Sequence, residues 1–400
     1  MIILDIVMCI IILLFGFTLK DKFLSLNEYE HRLLHKLFFY HILFGIVYYL
    51  YVIYIGGDAY HYWTAPKNMS FNELWEQVLD VGRPSEIMFL LNYIPSNILN
   101  LSFFTGSLIY SVVGYWSFIY FLLILKRVVP YYLYLTKIKI WNISIFPLLL
   151  FLPNLHFWSS GVGKDTLLFF TTMLFIYSLI NVKKRVFGLV ISFLISFFIR
   201  PHITLFLIVG FGLGYALDNN LKVYQKVFIS LVFGIGFIFI FNSVLSFIKL
   251  DSFNSESIGE FSKSKATALS VAGSGMDISS YPYPLKVFTF LYRPLFFDIH
   301  NAIAVVASFE NLLLLLVTFK FLKNKPIKMI KRGNWLIKSS FFFFILGALS
   351  FSLILSNLGI MLREKNMFML TFYIFIFWSF HSALIIPYLI KRNHGNQNIN

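Results

Sequence analysis

The sequence predicts an all-α, polytopic bundle of transmembrane helices, and its composition supports this in two ways. Hydrophobic residue types make up 58% of the 400 residues and aromatic types 20%, whereas charged types contribute only 13%. A soluble domain usually carries about a quarter charged residues, and a soluble fold of this composition would expose too much apolar surface. The abundant Phe and Tyr residues exclude a disordered chain, and the single cysteine, Cys9, excludes a disulfide framework.

Apolar runs of about 17–25 residues are long enough to cross the hydrocarbon core of a membrane. We predict about eleven such spans, within a range of ten to twelve, in a single integral membrane domain over residues 1–400. The first is expected to be a span and not a cleaved signal peptide, because it lacks a basic start and Asp5 interrupts it. Residues 86–104 are more polar and are predicted to form a re-entrant or interfacial element. The predicted spans are 1–19, 37–55, 105–125, 140–158, 165–182, 186–199, 203–217, 227–248, 301–319, 339–356 and 367–390.

Lysine and arginine residues concentrate in alternate loops, and this bias predicts the orientation of the chain. The N-terminus is expected outside and the C-terminus in the cytoplasm, with outer loops at about 56–104 and 249–300 and a basic cytoplasmic loop at 320–338. The net charge of +15 therefore reflects topology and contact with anionic membrane lipids, and it does not indicate nucleic-acid binding. The predicted cytoplasmic segments, which hold most of the 33 basic residues, are 20–36, 126–139, 183–185, 218–226, 320–338 and the tail from 391.

A second set of charged residues lies on the predicted outer side, where the topology rule does not explain them. An Arg or Lys held at mid-membrane depth costs about 2.5–3.5 kcal/mol, so such residues mark a functional site by default. Because all of these segments lie on one side, we predict that they converge on one outward-facing cavity. They are Asp58 after Gly56–Gly57, Lys164–Asp165, Arg200–His202, Arg293 and Arg363–Lys365.

Each of these residues also has a purely structural interpretation. Lys164 and Asp165 are adjacent and can pair, and Asp165 can favour the dipole of the helix that follows. Arg200 can extend its charged end to the membrane interface, and Asp58 can shape a turn after two glycines. The basic residues of 363–365 can anchor a helix at the interface.

The residue types in this outer set suit a phosphate or diphosphate. Lys164, Arg200, Arg293 and Arg363 offer point charges and planar forks that bind phosphate oxygens. Gly161 and Gly163 precede a predicted helix, where backbone N–H groups can face an anion. The sequence therefore predicts that the four cations bind a diphosphate.

The remaining outer residues supply candidates for proton transfer and sugar contact. Asp58, Asp165 or His202 can act as a general base on a hydroxyl group. His61, Trp63 and Trp158 are candidates for contact with sugar rings. No metal and no other cofactor is expected, because the outer histidines are scattered and no H-E-x-x-H motif occurs.

Four segments resemble a known family: Pro153–Asp165, Ile199–His202, Tyr292–Asp298 and Asn357–Arg363. Together they look like the polytopic proteins encoded among bacterial surface-polysaccharide genes, similar to the Wzy-like O-antigen and exopolysaccharide polymerases. The resemblance implies functional arginines in outer loops, lipid-diphosphate-linked oligosaccharides as substrates and a location in the bacterial inner membrane.

The resulting hypothesis is a glycosyltransferase-type polymerase that joins polyprenyl-diphosphate-linked repeat units at the outer face of the membrane. Chain-length regulators and flippase proteins are expected partners. One alternative is a glycosyltransferase that uses polyprenyl-monophosphate sugars, with Asp58 as base. Others are a non-enzymatic flippase or transporter of lipid-linked glycans, with charges distributed through a central channel, and a structural membrane scaffold.

Overall fold

The computed structural model describes the chain over residues 2–23, 26–79, 85–218, 221–248, 255–270, 274–278 and 280–387. The predicted cytoplasmic tail from 391 lies outside the described residues. Parts of the predicted outer loop 249–300 also lie outside them, namely 249–254, 271–273 and 279.

Almost all of the described chain is helical, as predicted, and the only strands found in it form one short hairpin. The strands are β1 (Lys139–Ile140) and β2 (Ile143–Ser144), paired antiparallel. The helices are α1 (Ile2–Phe23), α2 (Glu28–Ile55), α3 (Asp58–Thr64), α4 (Phe71–Leu79), α5 (Glu86–Asn92), α6 (Phe103–Val128), α7 (Ile145–Leu148), α8 (Pro153–Phe157), α9 (Lys164–Leu179), α10 (Val182–Ile199), α11 (Pro201–Ala216), α12 (Val223–Ile248), α13 (Ser255–Ser270), α14 (Tyr283–Tyr292), α15 (Ala302–Leu322), α16 (Pro326–Arg332), α17 (Trp335–Ile354) and α18 (Leu358–Phe380).

Seven helices of the described chain are long and apolar enough to cross a membrane, which supports a multi-pass membrane protein. They match seven of the predicted spans in position. Their outward faces carry large apolar side chains, as lipid contact requires; Phe15 on α1 and Phe239 on α12 are 50% and 77% exposed. The seven are α1, α2, α6, α12, α15, α17 and α18, the last extended to Ile385 by a π-helical turn.

The predicted continuous span at 140–158 is not formed. The chain there is the β-hairpin followed by the short helices α7 and α8, with Pro147 inside the first and Pro153 opening the second. Phe146, directly before a proline, is extended (φ −101°, ψ 124°), as the proline ring requires. Phe146 and Leu149 are completely buried, and irregular backbone of this kind occurs at membrane depth only where protein surrounds it.

The other predicted spans form shorter helices, so the count of eleven is not confirmed. Helices α9 and α11 have 16 residues each, and α10 has 18 residues, of which the second to fourth are basic. The last helix begins at Leu358 and not at 367, because Asn357 caps it by accepting a hydrogen bond from the Ile360 N–H. The 86–104 segment contains α5 and a π-helical turn, Tyr93–Ile98, both too short to span.

Contacts group the chain into two compact units. The first unit comprises residues 1–121, 151–205 and 240–253, and the second comprises 122–150, 206–239 and 254–400. In the first unit α9 packs along α10, α8 packs on α2, and α5 packs on α3. In the second unit α17 packs along α18, and α13 and α14 pack on α17.

Several contacts join segments that were predicted to lie on the same side of the membrane. In the first unit the Asp5 carboxylate near the start of α1 accepts a 2.8 Å hydrogen bond from the Ser102 N–H before α6. In the second unit Asp218 accepts a 2.8 Å hydrogen bond from the Trp335 N–H at the start of α17. These pairings agree with the predicted alternation of the loops, while the orientation itself stays a prediction.

Candidate anion-binding site

The turn before α9 is fixed by close packing within the first unit. An added Cβ on Gly161 would lie 2.0 Å from a ring carbon of Tyr48 on α2, so only glycine fits beside that ring. The Ser111 hydroxyl on α6 donates a 2.7 Å hydrogen bond to the Ser160 carbonyl. The Thr166 hydroxyl donates a 2.6 Å hydrogen bond to the Gly161 carbonyl. The first turn of α9 is therefore held in one position.

Asp165 and Arg200 form an ion pair. Arg200 ends α10, directly before Pro201 opens α11, and its guanidinium lies 3.2 Å from the Asp165 carboxylate. The two side chains are only 13% and 9% exposed. The antiparallel packing of α9 and α10 produces this contact, because it places the start of one helix beside the end of the other. His202 follows within α11 and is half-buried.

Lys164 lies at the meeting point of α9 with α3 and the start of α5. Its ammonium donates a 3.2 Å hydrogen bond to the Ser85 hydroxyl and lies 5.2 Å from the centroid of the Tyr62 ring. The Tyr62 carbonyl in turn accepts a 3.0 Å hydrogen bond from the Asn92 side chain of α5. We call Tyr62, Ser85, Lys164, Asp165 and Arg200 the Lys164–Arg200 cluster. Of these five residues two are cations and one is a carboxylate.

Asp58 lies on the same helix, α3, as Tyr62 of this cluster. It is the first residue of α3 and is exposed, whereas Tyr62 is buried one helical turn later. Residues four apart are neighbours on the same side of a helix, so Asp58 is about one turn from the ring that meets Lys164. His61 is also exposed, and its ring lies 5.3 Å from the ring of Phe89.

The two tryptophans predicted to contact sugar differ in their surroundings. Trp63 is buried, donates a 3.1 Å hydrogen bond to the Leu101 carbonyl and packs where an added Cβ on Gly106 would clash with its ring. This position gives Trp63 a packing role and leaves its ring no open face for a sugar. Trp158 is half-buried, with its ring 5.0 Å from that of Phe157, and keeps part of its surface open.

Arg293 in the second unit has its guanidinium engaged by its own chain. Its Nε donates a 2.9 Å hydrogen bond to the Asp298 carboxylate, and a second hydrogen bond from Nη2 reaches the other carboxylate oxygen. These hydrogen bonds are the main reason that the pKa of Arg293 is raised. The same carboxylate accepts a 2.8 Å hydrogen bond from the Leu295 N–H, so the turn closes around it. A diphosphate would therefore compete with Asp298 for this guanidinium.

The basic residues of 363–365 lie inside α18 and not before it. Arg363 is half-buried, whereas Lys365 is buried. The Lys365 ammonium donates a 3.2 Å hydrogen bond to the Leu291 carbonyl and another to the Asn311 side chain. Asn311 in turn donates a 2.8 Å hydrogen bond to the Pro294 carbonyl. Lys365 therefore supports the turn that contains Arg293.

Two buried polar groups were not assigned to a site from the sequence. Glu310 on α15 is 7% exposed and interacts electrostatically with Lys365. In the first unit, His41 and His156 are completely buried with their Nδ1 atoms 2.8 Å apart, and the ring of Phe118 stacks on His156 at 4.6 Å. In the sequence these groups are visible only as polar residues within predicted spans. A single polar residue in a span does not identify its partner.

Comparisons of the chain with protein-family models, with curated proteins and with solved structures find no match. The resemblance to surface-polysaccharide polymerases therefore rests on the residues of the four segments alone. What the fold supports directly is the class of multi-pass helical membrane protein.

Proposed function

We propose that this protein joins polyprenyl-diphosphate-linked glycans by glycosyl transfer at the outer face of a bacterial inner membrane. The observation that supports this proposal is the Lys164–Arg200 cluster, because a membrane protein keeps partly buried cations only where they have a partner or a task. Asp165 is paired with Arg200. In this proposal a lipid diphosphate, which has the appropriate charge and location, adds its own contacts to Lys164 and Arg200.

In the proposed reaction the cations stabilise the leaving group. The bond between the anomeric carbon and the diphosphate oxygen breaks, and a bond forms from that carbon to the acceptor hydroxyl oxygen with inversion. Negative charge develops on the departing diphosphate, where Lys164 and Arg200 would compensate it. The acceptor hydroxyl proton passes to a protein base.

Among the three candidate bases, the geometry favours Asp58. Asp165 already serves as the counter-ion of Arg200, and His202 is half-buried in the first turn of α11. Asp58 is exposed and belongs to the same helix as Tyr62, whose ring meets Lys164. A base at this position is accessible to an acceptor sugar while the donor diphosphate occupies the cluster.

The two other arginines have weaker support as diphosphate ligands. Arg293 is held by Asp298, so in this proposal it shapes the turn at 293–298 and does not bind the donor. Arg363 is half-buried in the second turn of α18 and stays a candidate. Among the aromatic candidates, exposed His61 and half-buried Trp158 keep their proposed contact with sugar. Chain-length regulators and flippases stay the proposed protein partners, and membrane lipids surround the spans.

The direct test is elongation of a lipid-linked substrate by purified full-length protein in lipid vesicles. The substrate is a polyprenyl-diphosphate-linked oligosaccharide repeat unit, and its products are resolved by length on a gel. We expect Lys164→Ala, Arg200→Ala and Asp58→Asn each to slow elongation by about a hundredfold or more, as loss of a charge-stabilising group does elsewhere. Lys67→Ala is the matched control, because Lys67 is an exposed lysine of the same loop region that bonds Asn100.

Equal elongation by the wild type and by both cation variants, at equal protein amounts, would overturn the proposal. A flippase gives a different result, namely movement of the lipid-linked glycan between leaflets with no change in its length. Measuring leaflet transfer in the same vesicles separates these two functions.

A further inference from the structure

Three potential metal ligands meet where α1 ends and α2 begins. The Asp21 carboxylate lies 3.2 Å from Nδ1 of His31. His35 lies one helical turn further along α2, and one ligand atom from each of the three residues lies within 4.8 Å of the others. This site belongs to the predicted cytoplasmic end of the first unit and shares no residue with the Lys164–Arg200 cluster.

The residue types and spacing suit a transition metal. Two histidines four residues apart on a helix present both rings on one face, and with a carboxylate they form a three-ligand set that zinc and related ions prefer. Ligand atoms around tetrahedral zinc lie about 3.3 Å apart, given Zn–N and Zn–O distances near 2.0–2.1 Å. Since the separations are 4.8 Å or less, they need to shorten by at most about 1.5 Å, which side-chain rotation supplies.

The surroundings already orient two of the three ligands. The His35 ring stacks on the Phe17 ring at 4.7 Å, which fixes the plane of the imidazole. Asn27 and Glu30 form a capping box at the start of α2, so the turn that carries His31 is well defined.

Lys20 is a cation next to the site, and its position is compatible with a metal. Its ammonium donates a hydrogen bond to the Phe17 carbonyl and lies 3.4 Å from one oxygen of Asp21. The other oxygen of Asp21 faces His31 and is the one that would coordinate. Lys20 thus holds the carboxylate in place and leaves one oxygen for the ion.

A metal at this position would tie α1 to α2. Only 6% of the most apolar stretch of α1 is buried within the protein, compared with 72% for α6, so an added link at the end of α1 would supplement a lightly covered helix. From this geometry we propose that Asp21, His31 and His35 bind one divalent transition-metal ion of the zinc class, with an open fourth position for water, and that the ion fixes α1 against α2. The sequence did not predict this site, because the prediction of no metal was based on the outer histidines. These ligands lie instead at the predicted cytoplasmic ends of α1 and α2.

The test uses full-length protein in detergent, stripped of metal with a chelator and titrated with Co²⁺ and with Zn²⁺. We expect one Co²⁺ per chain with the visible absorption of a tetrahedral ion, and we expect Zn²⁺ to displace it and to raise the thermal unfolding temperature. Asp21→Asn and His35→Gln should each weaken binding by more than about tenfold, because both remove a ligand of the ion.

His300→Ala is the control, since His300 is an exposed histidine away from the site, and its Nδ1 lies 2.9 Å from the Asp298 carbonyl. It should bind Co²⁺ as the wild type does. Unchanged stoichiometry and affinity in Asp21→Asn and His35→Gln would overturn the proposal, and so would absence of saturable binding in wild type. Gel filtration identifies any variant that fails to fold, and His31→Gln then replaces it. Because the readout is metal binding, the result is independent of whether the protein elongates glycans.

Discussion

The Asp165 carboxylate at the start of α9 lies 3.2 Å from the Arg200 guanidinium at the end of α10, although a complete helical hairpin separates them in sequence. Both side chains are nearly buried, so removing either charge costs the other a close partner in a poorly solvated position. The pair therefore combines two roles. It fixes the helical hairpin at one end, and it presents an arginine beside Lys164.

The first prediction concerns the coupling between these two residues. Asp165→Asn should lower the thermal unfolding temperature more than the double variant Asp165→Asn/Arg200→Gln does, because the single change removes the carboxylate that faces a nearly buried arginine and leaves the arginine charge in place. A double-mutant cycle from thermal unfolding in detergent should give a coupling of about 0.5–3 kcal/mol. Additive effects of the two single changes would contradict a direct ion pair.

The second prediction compares two glycines of one turn. An added Cβ at Gly161 meets the Tyr48 ring at 2.0 Å, whereas one at Gly163 finds only a carbonyl oxygen at 4.0 Å. Gly161→Ala should therefore destabilise the protein by about 1–3 kcal/mol, the usual range for overpacking. Gly163→Ala is the matched control and should unfold near the wild-type temperature, because its backbone is extended at φ 175°. Equal effects of the two substitutions would show that Tyr48 does not fix the turn.

The long spans were predictable from sequence, whereas the broken ones were not. Helices such as α6 and α15 follow from one property, a largely apolar run of sufficient length. Residues 140–158 are also largely apolar, but Pro147 and Pro153 break them into short segments that are stable only because the surrounding protein buries them. Hydropathy does not reveal that burial, and so the prediction of a continuous span at 140–158 was wrong.

The candidate site shows a similar division. The sequence identified three charged residues on the predicted outer side, where the topology rule does not expect cations to concentrate. They are Lys164, Asp165 and Arg200. Their partners were not identifiable. The packing of α5 brings Ser85 to Lys164, and a local turn brings the Asp298 carboxylate to the Arg293 guanidinium. Neither contact follows from composition or from the spacing between predicted spans.

The third prediction concerns the Arg293 turn. Asp298→Asn removes the charge that both hydrogen-bonding nitrogens of Arg293 face, and the pair is only 11% and 7% exposed. Breaking a buried pair from one side costs about 3–5 kcal/mol, so a clear drop in thermal unfolding temperature is expected. Asp58→Asn is the matched control, because the same change at an exposed aspartate leaves no buried charge behind. A drop no larger than that of the control would argue against the closed turn.

The fourth prediction concerns buried charge in the second unit. Lys365→Met should destabilise the protein strongly, because it leaves the Glu310 carboxylate without its interacting cation and frees Asn311 from one partner. Glu310→Gln/Lys365→Met should recover part of that loss, since the double variant buries no net charge. The thermal unfolding temperatures of the two variants decide the matter. If the double variant is no more stable than the single one, Glu310 is not the charge partner of Lys365.

The fifth prediction concerns the orientation of the chain, which the concentration of basic residues in alternate loops predicts. In a Cys9→Ser background, new cysteines at the exposed positions Asp58 and His300 should react with a membrane-impermeant maleimide in intact spheroplasts. A cysteine at exposed Lys331 should react only after the membrane is permeabilised. This pattern places the start of α3 and the 293–300 turn outside and the basic loop inside. Labelling of the Lys331 position in intact spheroplasts would show that the orientation is opposite to the predicted one. The Lys164–Arg200 cluster would then lie on the cytoplasmic side, where the proposed reaction does not take place.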